Sequence, residues 1–188
     1  AANILLIGHL QRQFERSNME KMQAETEEKL QETTESYRAK LYHDVLTGTY
    51  NRRYYEDIAS RIVGPAGIAL IDVDDFKICN DTYGHHAGDL ALEAAANAIR
   101  SCIRNADLLI RYGGDEFLLI LDDPAPGEIN RIIQQVKTEL SSGTGTTGLR
   151  ILAAVGSAEG CGADIRSLVK KADAAMYSDK AKSKEGRS

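Results

Sequence analysis

Two short apolar runs, Asp107-Leu108-Leu109-Ile110 and Leu118-Leu119-Ile120-Leu121, flank the turn Gly113-Gly114-Asp115. β-prone runs on either side of a glycine turn predict a β-hairpin. Glycine permits positive φ in such a turn, and its missing side chain lets other groups approach the backbone. The hairpin puts Asp115 and Glu116 at its tip. Upstream, Gly67-Ile68-Ala69-Leu70-Ile71-Asp72-Val73 is nearly continuous in apolar residues, as a central buried strand is. It finishes on carboxylates, Asp72 and then Asp74 and Asp75. Residues 149–156 read as a further strand.

The other periodic stretches predict helices. Residues 8–43 hold no proline and are rich in Glu, Gln, Lys, Met and Ala, which gives one helix of about 36 residues and ~54 Å. A helix of that length needs a partner face. Leu10, Phe14, Met19, Met22, Leu30, Tyr37 and Leu41 fit a coiled-coil seam in part, interrupted by Glu, Gln and Thr. We expect a parallel dimeric coiled coil with a weak, polar seam rather than a solvated helix packed on its own domain. Asn51 can cap a second helix that carries Tyr54, Tyr55, Ile58 and Ile62 and stops at Gly64-Pro65. Residues 76–81 form a short helix, 83–89 a glycine-bearing loop, and 90–104, 128–140 and 164–182 three amphipathic helices. Residues 141–148 are a Gly/Thr/Ser loop. The expected fold is α/β, a mixed sheet with helices on both faces and an antiparallel part around the hairpin. The expected division is a signalling helix over 1–43 and a globular domain over 44–188.

Composition narrows the chemistry. The 188 residues are 43% hydrophobic and 27% charged, with a net charge of -5 and a pI near 5.4. That excludes the basic footprint of a duplex nucleic-acid binder, while a small phosphate ligand needs only local positive charge. Cys79, Cys102 and Cys161 are odd in number and form no CxxC pair, so they read as reduced, cytosolic thiols. The chain opens on Ala1 rather than methionine, as a piece of a longer protein would. The apolar start, Ile4 to Ile7, is far short of the ~20 residues that span a bilayer. The end of a membrane span, the end of a signalling helix and a plain helical start all fit it.

Carboxylates at a strand end are natural Mg²⁺ ligands, although an acidic turn after a strand is also common. His85 and His86 lack metal-binding spacing and read as polar turn residues. Asn80 and Asp89 can offer donor and acceptor atoms to a guanine edge, the carboxylate accepting from the ring N–H and the amino group.

Taken together, these residues resemble the GGDEF-domain family of diguanylate cyclases. Five segments carry the resemblance. Residues 44–53 (Asp44-Val45-Leu46-Thr47-Gly48-Thr49-Tyr50-Asn51-Arg52-Arg53) are similar to the family's opening motif, with Thr49 where leucine is usual. Residues 72–77 and 80–89 are similar to its metal and guanine segments. Gly113 to Phe117 is the signature, and Arg104-Asn105-Ala106-Asp107 resembles its RxxD inhibitory site. The family's closing Gly-Arg/Lys-Asn turn and last strand are missing from residues 181–188.

The resemblance implies a palm-like nucleotidyl cyclase fold that joins two GTP into cyclic di-GMP and releases two pyrophosphates. It implies that Asp72, the Val73 carbonyl and Asp115 hold Mg²⁺, with Mn²⁺ as a substitute, and that Glu116 stands beside them. Lys77 and Lys180 contact the triphosphate. Gly113 and Gly114 leave room for phosphates, Asn80 and Asp89 form the base site, and Phe76 belongs to the substrate-binding set. Arg104 and Asp107 bind inhibitory product. A two-fold product implies two facing domains, so the long helix gains a role as the dimeriser between an upstream sensor and a cytoplasmic catalytic domain. The competing expectation is a non-catalytic GTP- or cyclic di-GMP-binding module. Such modules usually lose signature carboxylates, and this chain keeps Asp72, Asp115 and Glu116.

Overall fold

The structure is a computed structural model that describes residues 2–143 and 149–185, with the side chains of residues 2–12 and 183–185 left aside. The chain divides into two compact units, Ala1–Leu41 and Tyr42–Ser188. The first is a helix, α1 (Ala2–Tyr42). Every described side chain in it, from Gln13 to Leu41, is exposed, including Phe14, Met19, Met22, Leu30 and Tyr37. No described helix is long and apolar enough to cross a membrane.

The second unit is a five-stranded sheet with helices on both faces. Its elements run β1 (Tyr50–Asn51), α2 (Arg52–Ile58), β2 (Pro65–Val73), α3 (Phe76–Tyr83) and α4 (His85–Ser101). Then come β3 (Leu108–Arg111), β4 (Glu116–Asp122), α5 (Glu128–Ser142), β5 (Ala153–Cys161) and α6 (Ile165–Glu185). The strand order is β1-β3-β4-β2-β5. Among the described strands only β1 and β3 pair in parallel. β2 lies between β4 and β5 and is buried from Ala66 onward. Alternate residues of its apolar run therefore serve two cores. Ala69, Ile71 and Val73 join Phe117, Leu119 and Leu121 beneath α4 and α5. Ile68 and Leu70 join Leu118 and Ile120 beneath α2 and α6. The hairpin falls where the sequence predicts it, and Asn51 caps α2 by accepting from Tyr54 N at 3.1 Å.

Three expectations need correction. The stretch 83–89 is not a loop: Gly84 alone, at φ 84°, separates α3 from α4, its N–H closing α3 on the Asn80 carbonyl. α4 ends at Ser101 rather than at residue 104. The last strand starts at Ala153, not at 149, and runs on to Cys161 opposite Pro65. Leu149, Ile151 and Leu152 look β-prone, but Ile151 N donates to the Leu140 carbonyl, and the Leu152 carbonyl accepts from Asp74 N. Those bonds tie the stretch to a helix end and a turn instead of a ladder. Most of the predicted loop 141–148 lies outside the described residues. Thr49, at the unusual position, is buried and hydrogen-bonded to the Thr47 hydroxyl at 2.9 Å.

Candidate active site

β2 and β4 run antiparallel with Asp72 opposite Glu116. Just beyond, Val73 N donates to the Asp115 carbonyl at 3.1 Å. Asp72, Asp115 and Glu116 are thereby gathered at the ends of two neighbouring strands. Asp72 is buried and its Oδ1 takes an ion pair from Lys180 Nζ of α6, 2.6 Å away. The hydrogen bond to Asp72 raises the Lys180 pKa against the opposing effect of burial. Burial, then the negative charges of Asp72 and Asp115, push the Glu116 carboxyl up as well. Neighbouring charges that push a carboxyl up mark a local excess of negative charge.

That donor set suits a hard divalent cation. Among the described residues no three His, Cys, Asp or Glu side chains converge as a ready-made metal cluster. The candidate set is two carboxylates and the Val73 carbonyl, and Mg²⁺ commonly draws the rest of its shell from water and substrate phosphates. A cleft of about 230 Å³ lies alongside, lined by Val73, Phe76, Lys77, Asp115 and Lys180, with Asp74, Asp75 and Ile78. Lys77, Lys180 and Asp115 thus line one small space, with Asp72 reaching it through its ion pair to Lys180.

The signature glycines act through space rather than through positive φ, which neither adopts. A β-carbon on Gly113 would meet the Glu116 carboxylate, whereas one on Gly114 would meet nothing within 4 Å. Gly113 makes room for Glu116, and Gly114 leaves the hairpin tip open to a ligand. Tyr112 N and Gly113 N both donate to the Glu116 carbonyl. Arg111, to which sequence reasoning assigned no role, braces the turn. Its Nε and Nη2 donate to the Gly114 carbonyl at 3.2 and 2.8 Å, and its Nη1 donates to both Asp44 oxygens at 3.0 and 3.1 Å. Asp44 and Arg111 are 67 positions apart, so no local pattern could reveal the pair.

The base candidates stand on α3 and α4. Asn80 is half-buried and Asp89 exposed. Asn80 Oδ1 is buried with no hydrogen-bond partner among the described groups. Phe76, at the start of α3, packs on the core edge and lines the cleft.

Arg104 and Asp107 line a second cleft, of about 230 Å³, with Thr49, Tyr50 and Arg100. Here the geometry departs from expectation. The Asp107 carboxylate is fully covered and already accepts from Arg104 N, Nε and Nη2 and from Asp122 N. It holds the guanidinium in place instead of facing outward. The Arg104 side chain is 48% exposed and keeps donors for a ligand.

Residues 41–186 match the family described as diguanylate cyclase, GGDEF domain. The chain belongs to this family. The GGDEF domain is 35% identical over 147 residues to diguanylate cyclase DosC of Escherichia coli K12, a match covering 71% of this chain and 32% of DosC. It is 35% identical over 152 residues to the response regulator PleD of Caulobacter vibrioides, covering 73% of this chain and 34% of PleD. The chain thus spans about a third of the length of these relatives. Among solved structures, the coiled coil and GGDEF domain of DgcB from Caulobacter crescentus, in complex with c-di-GMP, aligns with TM-score 0.74 and 28% identity. That alignment covers 88% of this chain and 94% of the other. Diguanylate cyclase SiaD of Pseudomonas aeruginosa, in complex with its activator SiaC, aligns with TM-score 0.72 and 28% identity, covering 96% and 74%.

Proposed function

We propose that this GGDEF domain condenses two GTP into cyclic di-GMP with release of two pyrophosphates. The observation that carries the reading is the strand-end cluster, with Asp72 on β2, Glu116 on β4, Asp115 just before it, and Lys180 paired to Asp72. In each half-reaction the 3′-oxygen of one GTP attacks the α-phosphorus of the other, and the bond to pyrophosphate breaks. Asp72, the Val73 carbonyl and Asp115 are the residues that would hold Mg²⁺ or Mn²⁺. When bound, the ion neutralises phosphate charge and favours the 3′-oxygen as nucleophile. Lys77 and Lys180 take the triphosphate, which lies against the open face at Gly114 beside Gly113. Glu116, whose carboxyl is pushed up, is assigned the proton of the 3′-hydroxyl. Phe76, Asn80 and Asp89 hold the base.

Each chain supplies one GTP half-site, and a two-fold product needs two chains face to face. The exposed apolar side chains of α1 support a homodimeric coiled coil; in the same proposal an upstream sensor drives it and the catalytic unit lies in the cytoplasm. Arg104, steadied by Asp107, binds product as an inhibitor. Incubation with GTP and Mg²⁺ followed by chromatography tests the reading. Cyclic di-GMP and pyrophosphate in a one-to-two ratio are expected. Bound but unconsumed GTP would make the domain a non-catalytic nucleotide-binding module.

A further inference from the structure

Gly88 sits in the first turn of α4 and is buried. Glycine inside a helix is less favourable than alanine, because it loses more backbone freedom on folding. Its presence here matches one contact. The place its β-carbon would fill is occupied by Asn80 Oδ1, with Asn80 Cγ at 2.9 Å and Phe76 Cε2 at 3.0 Å from that same point. Independently, Asn80 Oδ1 is the buried polar atom left without a partner among the described groups. A single residue, Gly84, joins α3 to α4, and its N–H donates to the Asn80 carbonyl at 2.9 Å. The two helices cannot spread apart locally without breaking that closure. The Asn80 Oδ1 therefore takes, beside the edge of the Phe76 ring, the space a β-carbon at position 88 would fill, and Nδ2 is the amide group left for a ligand.

We infer that Gly88 is a positioning residue for base recognition: its missing side chain is the slot that fixes the Asn80 amide. The inference rests on the reading of Asn80 and Asp89 as the base site. With Oδ1 held in the slot, Nδ2 presents a donor to a base acceptor, and Asp89, one residue after Gly88, presents acceptors to base N–H groups. That is a guanine pattern and a mismatch for adenine, whose ring N1 is an acceptor and whose exocyclic nitrogen is a donor. A methyl group at position 88 pushes the amide out of the slot or lifts the first turn of α4, which carries Asp89. Either movement separates the two reading groups while leaving the strand-end carboxylates where they are.

The test is a cycle of Gly88→Ala, Asn80→Ala and the double variant, read as KM for GTP, kcat and Tm. Gly88→Ala is expected to raise KM about tenfold with kcat within about threefold of wild type. Asn80→Ala does the same. The double variant has the KM of Asn80→Ala and a Tm no lower than it, because the overlap with the amide is gone, only the Phe76 ring edge at 3.0 Å has to give, and alanine is the better helix former. If Asn80→Ala leaves KM unchanged, the base-site reading itself fails. If Asn80→Ala raises KM and Gly88→Ala does not, the positioning role fails while the base site stands. A double variant whose KM rises above that of Asn80→Ala also overturns it, since Gly88 would then act by another route. This comparison of the double variant with Asn80→Ala holds even where Gly88→Ala alone does not fold.

Discussion

At the residue scale the proposed metal site can be tested apart from stability. Asp72 is buried, but its partner Lys180 is 32% exposed and can turn to solvent when the carboxylate is removed. Such a part-exposed pair contributes about 1 kcal/mol or less, and losing Asp72 also relieves its repulsion with Glu116. Asp72→Ala and Asp115→Ala are therefore expected to keep the fold, with Tm little changed, and to lose about a thousand-fold or more in cyclisation rate. Near-normal turnover by either folded variant would remove it from the metal site. Asp89→Ala is expected to weaken GTP binding and to reduce guanine-over-adenine preference by about tenfold or more, because a partner of the base edge is gone. Competition between GTP and ATP measures this, and an undiminished preference takes Asp89 out of the base site. Arg104→Ala is expected to keep the initial rate and to lose inhibition by added cyclic di-GMP. Equal inhibition of both proteins would leave Arg104 and Asp107 as a structural staple, which the covered Asp107 carboxylate already provides.

At the element scale, one carboxylate braces the hairpin and another ties α6 to β5. Asp44 receives Arg111 and both the backbone N–H and the hydroxyl of Thr47. Asp179 receives Lys137 Nζ at 2.7 Å and Val155 N at 3.0 Å, which fixes α6 to β5 next to Lys180. Burial raises both carboxyls, but these hydrogen bonds and charges outweigh it and hold each below the usual carboxylate range. A depressed carboxyl adds stability above its unfolded pKa of about 4 and loses it as pH falls through the lower, folded value. Asp44→Ala is expected to cost about 2 kcal/mol at pH 7, as for hydrogen bonds to a charged group. The difference from wild type should shrink below about pH 4. A urea titration at both pH values checks this, and a pH-independent difference contradicts the charged-brace account. The hairpin, the central strand and the Asn51 cap were legible because each follows from neighbours in sequence. The Asp44–Arg111 brace was not, because its partners meet only once the sheet has formed. The start of β5 was misread because Leu149, Ile151 and Leu152 have strand-like side chains whose backbone bonds go elsewhere. The α3–α4 junction was misread because a single glycine at positive φ does the work assigned to a seven-residue loop.

At the scale of the whole molecule, the GGDEF domain carries its own double-sided core, while α1 shows exposed side chains from Gln13 to Leu41. A 41-residue helix, about 60 Å long, is not held by propensity alone. Pairing of two such helices would keep two half-sites at high effective concentration. The direct measurement is the rate of cyclic di-GMP formation per chain across a dilution series, for the full chain and for a chain lacking residues 1–40. The full chain is expected to hold a constant rate per chain. The shortened chain is expected to lose rate steeply on dilution and to recover part of it at high concentration. A shortened chain whose rate per chain stays constant on dilution would contradict two half-sites brought together by the helix, and absence of product from both chains would contradict the synthesis itself.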